Sequence, residues 1–145
     1  MNRVKHLLDK RTDFFAVSAE NTVHEAAMYL RDRGVRATVV CDKGRGPVGV
    51  ISQSDISDKV TAENRCPAWV RVSEIMSTDL VTVTPESSID ECLHLLEMHG
   101  IYHLVVVDTA GQSLGMISAQ DILRLVARNE KARADLLEHW AFPPM

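Results

Sequence analysis

Cysteine is scarce. Cys41, Cys66 and Cys92 are odd in number and form no CxxC pair, which excludes a disulfide framework and a thiolate zinc site. Cys41 ends the apolar run Ala37-Thr38-Val39-Val40 and Cys92 lies on an apolar helical stripe, so both read as small core residues. Aromatic residues make up only 5% of the chain, and no apolar run approaches the roughly 20 residues that cross a bilayer. Positive charge is also short: 16 Lys and Arg against 20 Asp and Glu leave a net charge of -4 and a pI near 5.8. Such a surface does not suit a nucleic-acid polymer or an anionic membrane. Residues 1–11 carry charges throughout and have no apolar signal core, so the expected location is cytoplasmic. No G-x-x-x-x-G-K-[ST], nucleophile elbow or Ser-His-Asp set is visible, so catalysis has no motif behind it.

What is present is a soluble-domain composition, 46% hydrophobic and 25% charged over 145 residues, and a repeat. Residues 49–56 read GVISQSDI and residues 115–122 read GMISAQDI. Holding that offset of 66 aligns residues 12–60 with 78–126 without a gap, and 16 of the 49 positions are identical. This is a tandem duplication. Each copy places a capping box, Thr22-x-x-Glu25 or Ser88-x-x-Glu91, before a helical stripe of Val23, Ala26, Ala27 and Leu30, or Ile89, Cys92, Leu93 and Leu96. Gly34 and Gly100 stop those helices. A β-rich run follows (36–41 or 103–107), then a turn, a short strand (48–51 or 114–117) and a second helix (about 53–61 or 119–128). Residues 4–61 form the first β-α-β-β-α unit, 62–71 connect, 72–128 form the second, and 129–145 make a helical tail. One unit of this size buries its apolar faces poorly alone, so the two are expected to pack as one domain.

The octets admit two readings. Ser52-x-x-Asp55 and Ser118-x-x-Asp121 are capping boxes in form, a structural role worth about 1 kcal/mol each. The same geometry suits a nucleotide. The helix N–H groups and a Ser hydroxyl face an anion, the Asp one turn on accepts from a ribose diol, and Gly49 or Gly115 permits close backbone approach.

The duplicated unit, the pattern Gly-apolar-Ile-Ser-x-x-Asp-Ile and the stretch VSEIMSTDLVTVTPESSIDECLHLLEMHGIYHLVVVD (72–108) together resemble CBS domains, over about residues 4–128. The chain is similar to small stand-alone proteins made of one CBS pair, a Bateman module. The resemblance implies an α/β (α+β) fold with two repeats packed about a pseudo-twofold axis. It also implies a non-catalytic regulatory module that binds AMP, ADP, ATP, S-adenosylmethionine or NAD in clefts between the repeats, with no cofactor required. For one cleft it implies Asp55 on the ribose, Ser52 on phosphate, and Val50, Ser54, Arg36 and Ala37 beside them, with Thr78, Leu80 and Val81 from the opposite repeat. For the other it implies Asp121, Ser118, Met116, Gln120, Tyr102 and His103, with Thr12, Phe14 and Phe15 opposite. Two departures are visible. The family's Leu-Pro-Val is replaced by Thr38-Val39-Val40 and Leu104-Val105-Val106, and Gln53-Ser54 stands where related proteins carry Glu-Arg before the first Asp.

A homodimer built through the helices and an unidentified regulated protein are the partners implied. The alternatives are an interaction module whose clefts are vestigial, and a metal enzyme built on Asp90, Glu91, His94, His99 and His103, which lack a ligand set of fixed spacing. In the tail, Trp140 and Phe142 suggest an anchor on this subunit or a neighbouring one.

Overall fold

The computed structural model describes residues 3–8, 16–128, 134 and 138. Thr12, Phe14 and Phe15, and Trp140 and Phe142 in the tail, lie outside the described residues.

Each copy builds its first long helix between a hydroxyl and a glycine. Thr22 caps α2 (Val23–Arg33), with its side chain accepting from the Glu25 N–H while the Glu25 carboxylate accepts from the Thr22 N–H. That backbone hydrogen bond holds the Glu25 carboxyl below the usual carboxylate range. The second box is only half made. Ser88 caps α5 (Ile89–His99) through the Glu91 N–H, and its reciprocal bond is not formed. Gly34 and Gly100 close the two helices in left-handed conformation, at φ 65° and 61°, as the sequence pattern requires.

The mixed α/β architecture is two three-stranded sheets. In the first, β1 (Ala16–Ser18) runs parallel to β2 (Ala37–Asp42), which is antiparallel to β3 (Gly46–Ser52). In the second, β4 (Thr82–Val83), β5 (His103–Val107) and β6 (Ser113–Ser118) repeat that order. The strands start and end closer to the hairpins than the apolar pattern alone indicates, because the pairs Asp42–Gly46 and Val107–Ser113 carry the ladder to the turns. Both copies bulge at the same place, between Val40 and Cys41 and between Val106 and Val107. The second helices differ. The α6 helix (Ala119–Ala127) is regular, whereas α3 (Gln53–Ile56) widens into a π-turn over Ser57–Thr61, closed by the Ala62 N–H on the Ser57 carbonyl at 2.8 Å.

Two short helices, α1 (Val4–Leu8) and α4 (Val72–Ile75), are exchanged between the copies. Val4 is fully buried in the core of the second copy, among Leu96, Leu104 and Ile117. Val72 and Ile75 are buried in the core of the first, with Val23, Val40 and Ile51. Backbone bonds seal the exchange: the Val4 N–H reaches the Ser87 carbonyl, and the Val72 N–H reaches that of Asn21. Since Asn21 aligns with Ser87, Val4 matches Val72, two residues out of the 66-residue frame. The first copy accordingly has seven residues between Leu8 and Ala16 against five between Met76 and Thr82. Neither core is complete without a segment that sequence order assigns to the other copy.

A third apolar cluster joins the sheets: Ala37, Val39, Val105 and Met116 are buried, with Cys41, Val50, Leu80 and Val107 packed around them. Cys92 is wholly buried in the second core, and burial, with Glu91 nearby, pushes its thiol up to about 11. Both Cys41 and Cys92 therefore serve as packing residues.

Candidate functional site

The twin corners form where β3 runs into α3 and β6 into α6. At the first, the Ser52 hydroxyl accepts from the Asp55 N–H at 3.2 Å, and Asp55 Oδ2 accepts from the Ser52 N–H at 3.0 Å and the Ser52 hydroxyl at 3.0 Å. At the second, Ser118 accepts from the Asp121 N–H at 3.0 Å and Asp121 Oδ2 accepts from the Ser118 N–H at 2.9 Å. Both are complete capping boxes in which Asp does the work usual for Glu.

The starts of β2 and β5 close the same corners from the side. The Gln53 N–H donates to the Arg36 carbonyl and the Ala119 N–H to the Tyr102 carbonyl, each at 2.9 Å. The expectation of free helix N–H groups is thus corrected. Two of the first three N–H donors of each helix are already bonded within the chain. The side chains of Arg36 and Tyr102 face solvent, Tyr102 with 74% of its surface exposed. Ser54 and Gln120 are exposed one residue before each Asp.

Of the other residues named for the first corner, Ala37, Val50 and Leu80 meet in the inter-sheet cluster, where Met116 of the second corner joins them. Val50 pairs through both its N–H and its carbonyl with Ser77, which holds residues 76–80 against the octet. Val81 departs from expectation. It packs against the second core, because its carbonyl pairs with Val105 and turns it toward β5. Thr78 is exposed, its carbonyl accepting from the Leu80 N–H. His103 stands opposite Ser118 in the ladder. Burial pushes its imidazole below the usual range, and the charge of Asp121 offsets part of that shift.

The octet glycines serve different ends. A Cβ on Gly49 would lie 2.7 Å from Met76 Sδ and 2.9 Å from the Ser77 carbonyl, so the close approach there is made by the chain itself. Gly115 has φ +137°, and the nearest atom to its Cβ position is Leu8 Cδ2 at 3.9 Å.

Lys59 was not foreseen as a site residue. Its ammonium lies 2.9 Å from Asp55 Oδ1 and donates to the Ile75 carbonyl at 2.8 Å. Its counterpart in the second copy is Leu125, and there Arg124 approaches Asp121 Oδ1 to only 3.9 Å. The pattern Asp-x-x-x-Lys is the sequence signal that was available, since i and i+4 share a helix face. Asp90, Glu91 and His94 lie exposed on α5, and among the described residues no group of three His, Cys, Asp or Glu is placed to hold a metal ion. A cavity of about 410 Å³ lies at the opposite, hairpin end of the sheets, lined by Cys41, Asp42, Gly44, Gly46, Pro47, Gln112 and Ser113.

The family pattern described as the CBS domain matches this chain twice, over residues 4–62 and 72–128. The chain belongs to the CBS-domain family. Among related CBS sequences, the CBS domain-containing protein YhcV of Bacillus subtilis is 31% identical over 125 residues, 86% of this chain and 87% of that protein. An uncharacterised protein of Methanopyrus kandleri is 30% identical over 79% of this chain, which spans only 59% of that relative's length. A putative signal-transduction protein with CBS domains from Burkholderia ambifaria superposes with a TM-score of 0.81 at 28% identity, covering 89% of this chain and 96% of that one. Two further CBS structures share the fold. The Pyrobaculum aerophilum protein PAE2072, complexed with AMP, has a TM-score of 0.76 at 23% identity, covering 88% and 99% of the two chains. The CBS pair of protein MJ0100, in complex with 5-methylthioadenosine and S-adenosyl-L-methionine, has a TM-score of 0.76 at 24% identity, covering 86% and 98%.

Proposed function

We propose that this chain is a regulatory, non-catalytic module that binds adenosine-containing ligands at its Ser52/Asp55 and Ser118/Asp121 corners. The observation that carries the reading is the duplicated carboxylate, each copy set at the end of its own sheet and left with only 11% and 19% side-chain exposure. A carboxylate held by its backbone and sparingly exposed is pre-organised to accept from a vicinal diol, with a serine hydroxyl one turn back. The AMP complex of PAE2072 and the 5-methylthioadenosine and S-adenosyl-L-methionine complex of MJ0100 support that ligand class. A homodimer packed through the helices accords with exposed Met28 on α2, Met98 on α5 and Leu123 on α6. A ligand would then regulate by favouring one arrangement of repeats or subunits, to the extent that it binds the two arrangements unequally.

The capping hydrogen bonds favour a second reading, in which the corners only stabilise the fold. Calorimetric titration with AMP, 5′-methylthioadenosine, S-adenosylmethionine, ATP and NADH separates the two. Under the proposal at least one ligand binds, and Asp55→Ala or Asp121→Ala weakens its own corner about a hundredfold, the loss of charge-assisted hydrogen bonds to a diol. Binding indifferent to both substitutions, with folded protein by circular dichroism, rejects the corners as the site.

A further inference from the structure

Lys59 supplies the contact to the Asp55 carboxylate that the capping box does not. It stands in the π-turn over Ser57–Thr61, a rare helix form concentrated at functional positions. Its ammonium lies 2.9 Å from Asp55 Oδ1 and donates to the Ile75 carbonyl at 2.8 Å. Ile75 ends α4 and is buried in the first core, so the ammonium is tethered to a fixed point of the fold. Two of its three N–H donors are thus engaged. The third has no partner among the described residues, and the side chain is 45% exposed.

The same count defines what the carboxylate still offers. An ionised Asp has about four lone-pair sites. The Ser52 N–H and hydroxyl occupy Oδ2 and Lys59 occupies one site of Oδ1, which leaves an acceptor site beside the ammonium. A ligand hydroxyl that donates there shares Oδ1 with Lys59, and two partners of one oxygen lie within about 5 Å of each other. The adjacent hydroxyl of a vicinal diol then comes within reach of the open N–H of Lys59, to which it acts as acceptor. Resting on the adenosine reading above, we infer that Lys59 is a specificity-determining residue of the first corner: Asp55 Oδ1 accepts from one ribose hydroxyl, and the Lys59 ammonium donates to the other. This corner reads the diol as one donor and one acceptor, and so selects ribosides over deoxyribosides. The aligned position in the second copy is Leu125, packed against the second core, so the contact belongs to the first corner.

The test uses the full chain carrying Asp121→Ala, so that the first corner is read alone, with AMP, 2′-deoxy-AMP and 3′-deoxy-AMP as calorimetric probes. Asp121→Asn, which keeps an acceptor for the Ser118 N–H, replaces it if the alanine variant loses its circular-dichroism signal. In this background at least one deoxy analogue binds about tenfold more weakly than AMP. Adding Lys59→Met weakens AMP about tenfold, the loss of one charge-assisted hydrogen bond, and brings that analogue within about threefold of AMP. A merely structural Lys59 would weaken all three ligands alike, leaving no coupling between the side chain and a particular hydroxyl. An AMP affinity unchanged by Lys59→Met, or a deoxy penalty of the same size with and without Lys59, overturns the role of Lys59 and leaves the adenosine reading standing. AMP binding to wild type that vanishes in the Asp121 variant does the same. No AMP binding to wild type, or binding that neither Asp55→Ala nor Asp121→Ala affects, overturns both.

Discussion

The two octets share Gly, Ile, Ser, Asp and Ile, and both end in the same capped corner, yet almost every neighbour of those residues differs. Gly49 is a glycine because Met76 and Ser77 press on it, while Gly115 is one because its backbone sits at φ +137°. Lys59 grips Asp55, and the aligned position in the second copy is Leu125, packed against the second core. Thr38 occupies the core position that Leu104 fills in the second copy, and Ala37 faces Ser52 where His103 faces Ser118. Duplication preserved the backbone hydrogen bonds, which any sequence with the right caps can make. It left the side chains around them to diverge, and that is where two equal-looking corners acquire different properties.

The sharpest break in the symmetry lies inside the cores. Thr38 is fully buried and its hydroxyl has no hydrogen-bond partner among the described residues, whereas Leu104 is fully buried in apolar surroundings. Giving the second copy the first copy's residue, Leu104→Thr, loses apolar burial and adds an unpaired hydroxyl, so urea denaturation should show a loss of about 3 kcal/mol. In the first copy, Thr38→Val removes an unsatisfied group at similar volume and should gain about 1 kcal/mol. A loss of stability in Thr38→Val would mean that the hydroxyl of Thr38 is well served after all.

Next in size is the pair of glycines. Gly49→Ala drives a Cβ against backbone, the Ser77 carbonyl at 2.9 Å, and should cost about 2 kcal/mol by prying the Val50–Ser77 pairing apart. Gly115→Ala meets only the Leu8 side chain, at an ordinary contact distance of 3.9 Å, and pays for its backbone conformation, about 1 kcal/mol. Double-mutant cycles distinguish the causes. Met76→Ala should couple with Gly49→Ala, because Met76 Sδ is the other atom in the way. Leu8→Ala should add to Gly115→Ala within about 0.5 kcal/mol. Coupling at Gly115 of the same size would show that the second octet is also sterically closed.

The repeat, the helix caps, the strand pairs and the two Ser-x-x-Asp capping corners were legible because each rests on local periodicity or on one constant offset within the chain. The exchange of α1 and α4 was not. Val4 and Val72 are short apolar positions in either arrangement, and nothing in their spacing says which core receives them. The same applies to Val81, whose burial against the second core follows from its carbonyl pairing with Val105. The pairing of the first N–H group of each helix was hidden too, since it depends on the carbonyls of Arg36 and Tyr102, brought in by strand register. Lys59 was visible as an i, i+4 partner of Asp55. Its second bond, to Ile75 sixteen residues on, exists only once the exchange has been made.

The smallest expected effect concerns protons at the second corner. His103 is desolvated, its imidazole is held below the usual range, and Asp121 offsets only part of that. An imidazole whose folded pKa lies below its unfolded value of about 6.5 binds fewer protons when folded, so its contribution is intact above that pH and is lost as pH falls through it toward the folded value. The melting temperature should therefore drop between pH 7.5 and 5.5. His103→Ala, which gives the second copy the residue that Ala37 supplies in the first, should flatten that slope, while Ala37→His should leave the second corner's own titration in place. If ligand occupies the Asp121 corner, the same pH interval should change the calorimetric affinity for AMP in wild type more than in His103→Ala, because the charge gained by the imidazole lies beside Asp121. Equal pH slopes in parent and variant would remove His103 from the list of features that set the two corners apart.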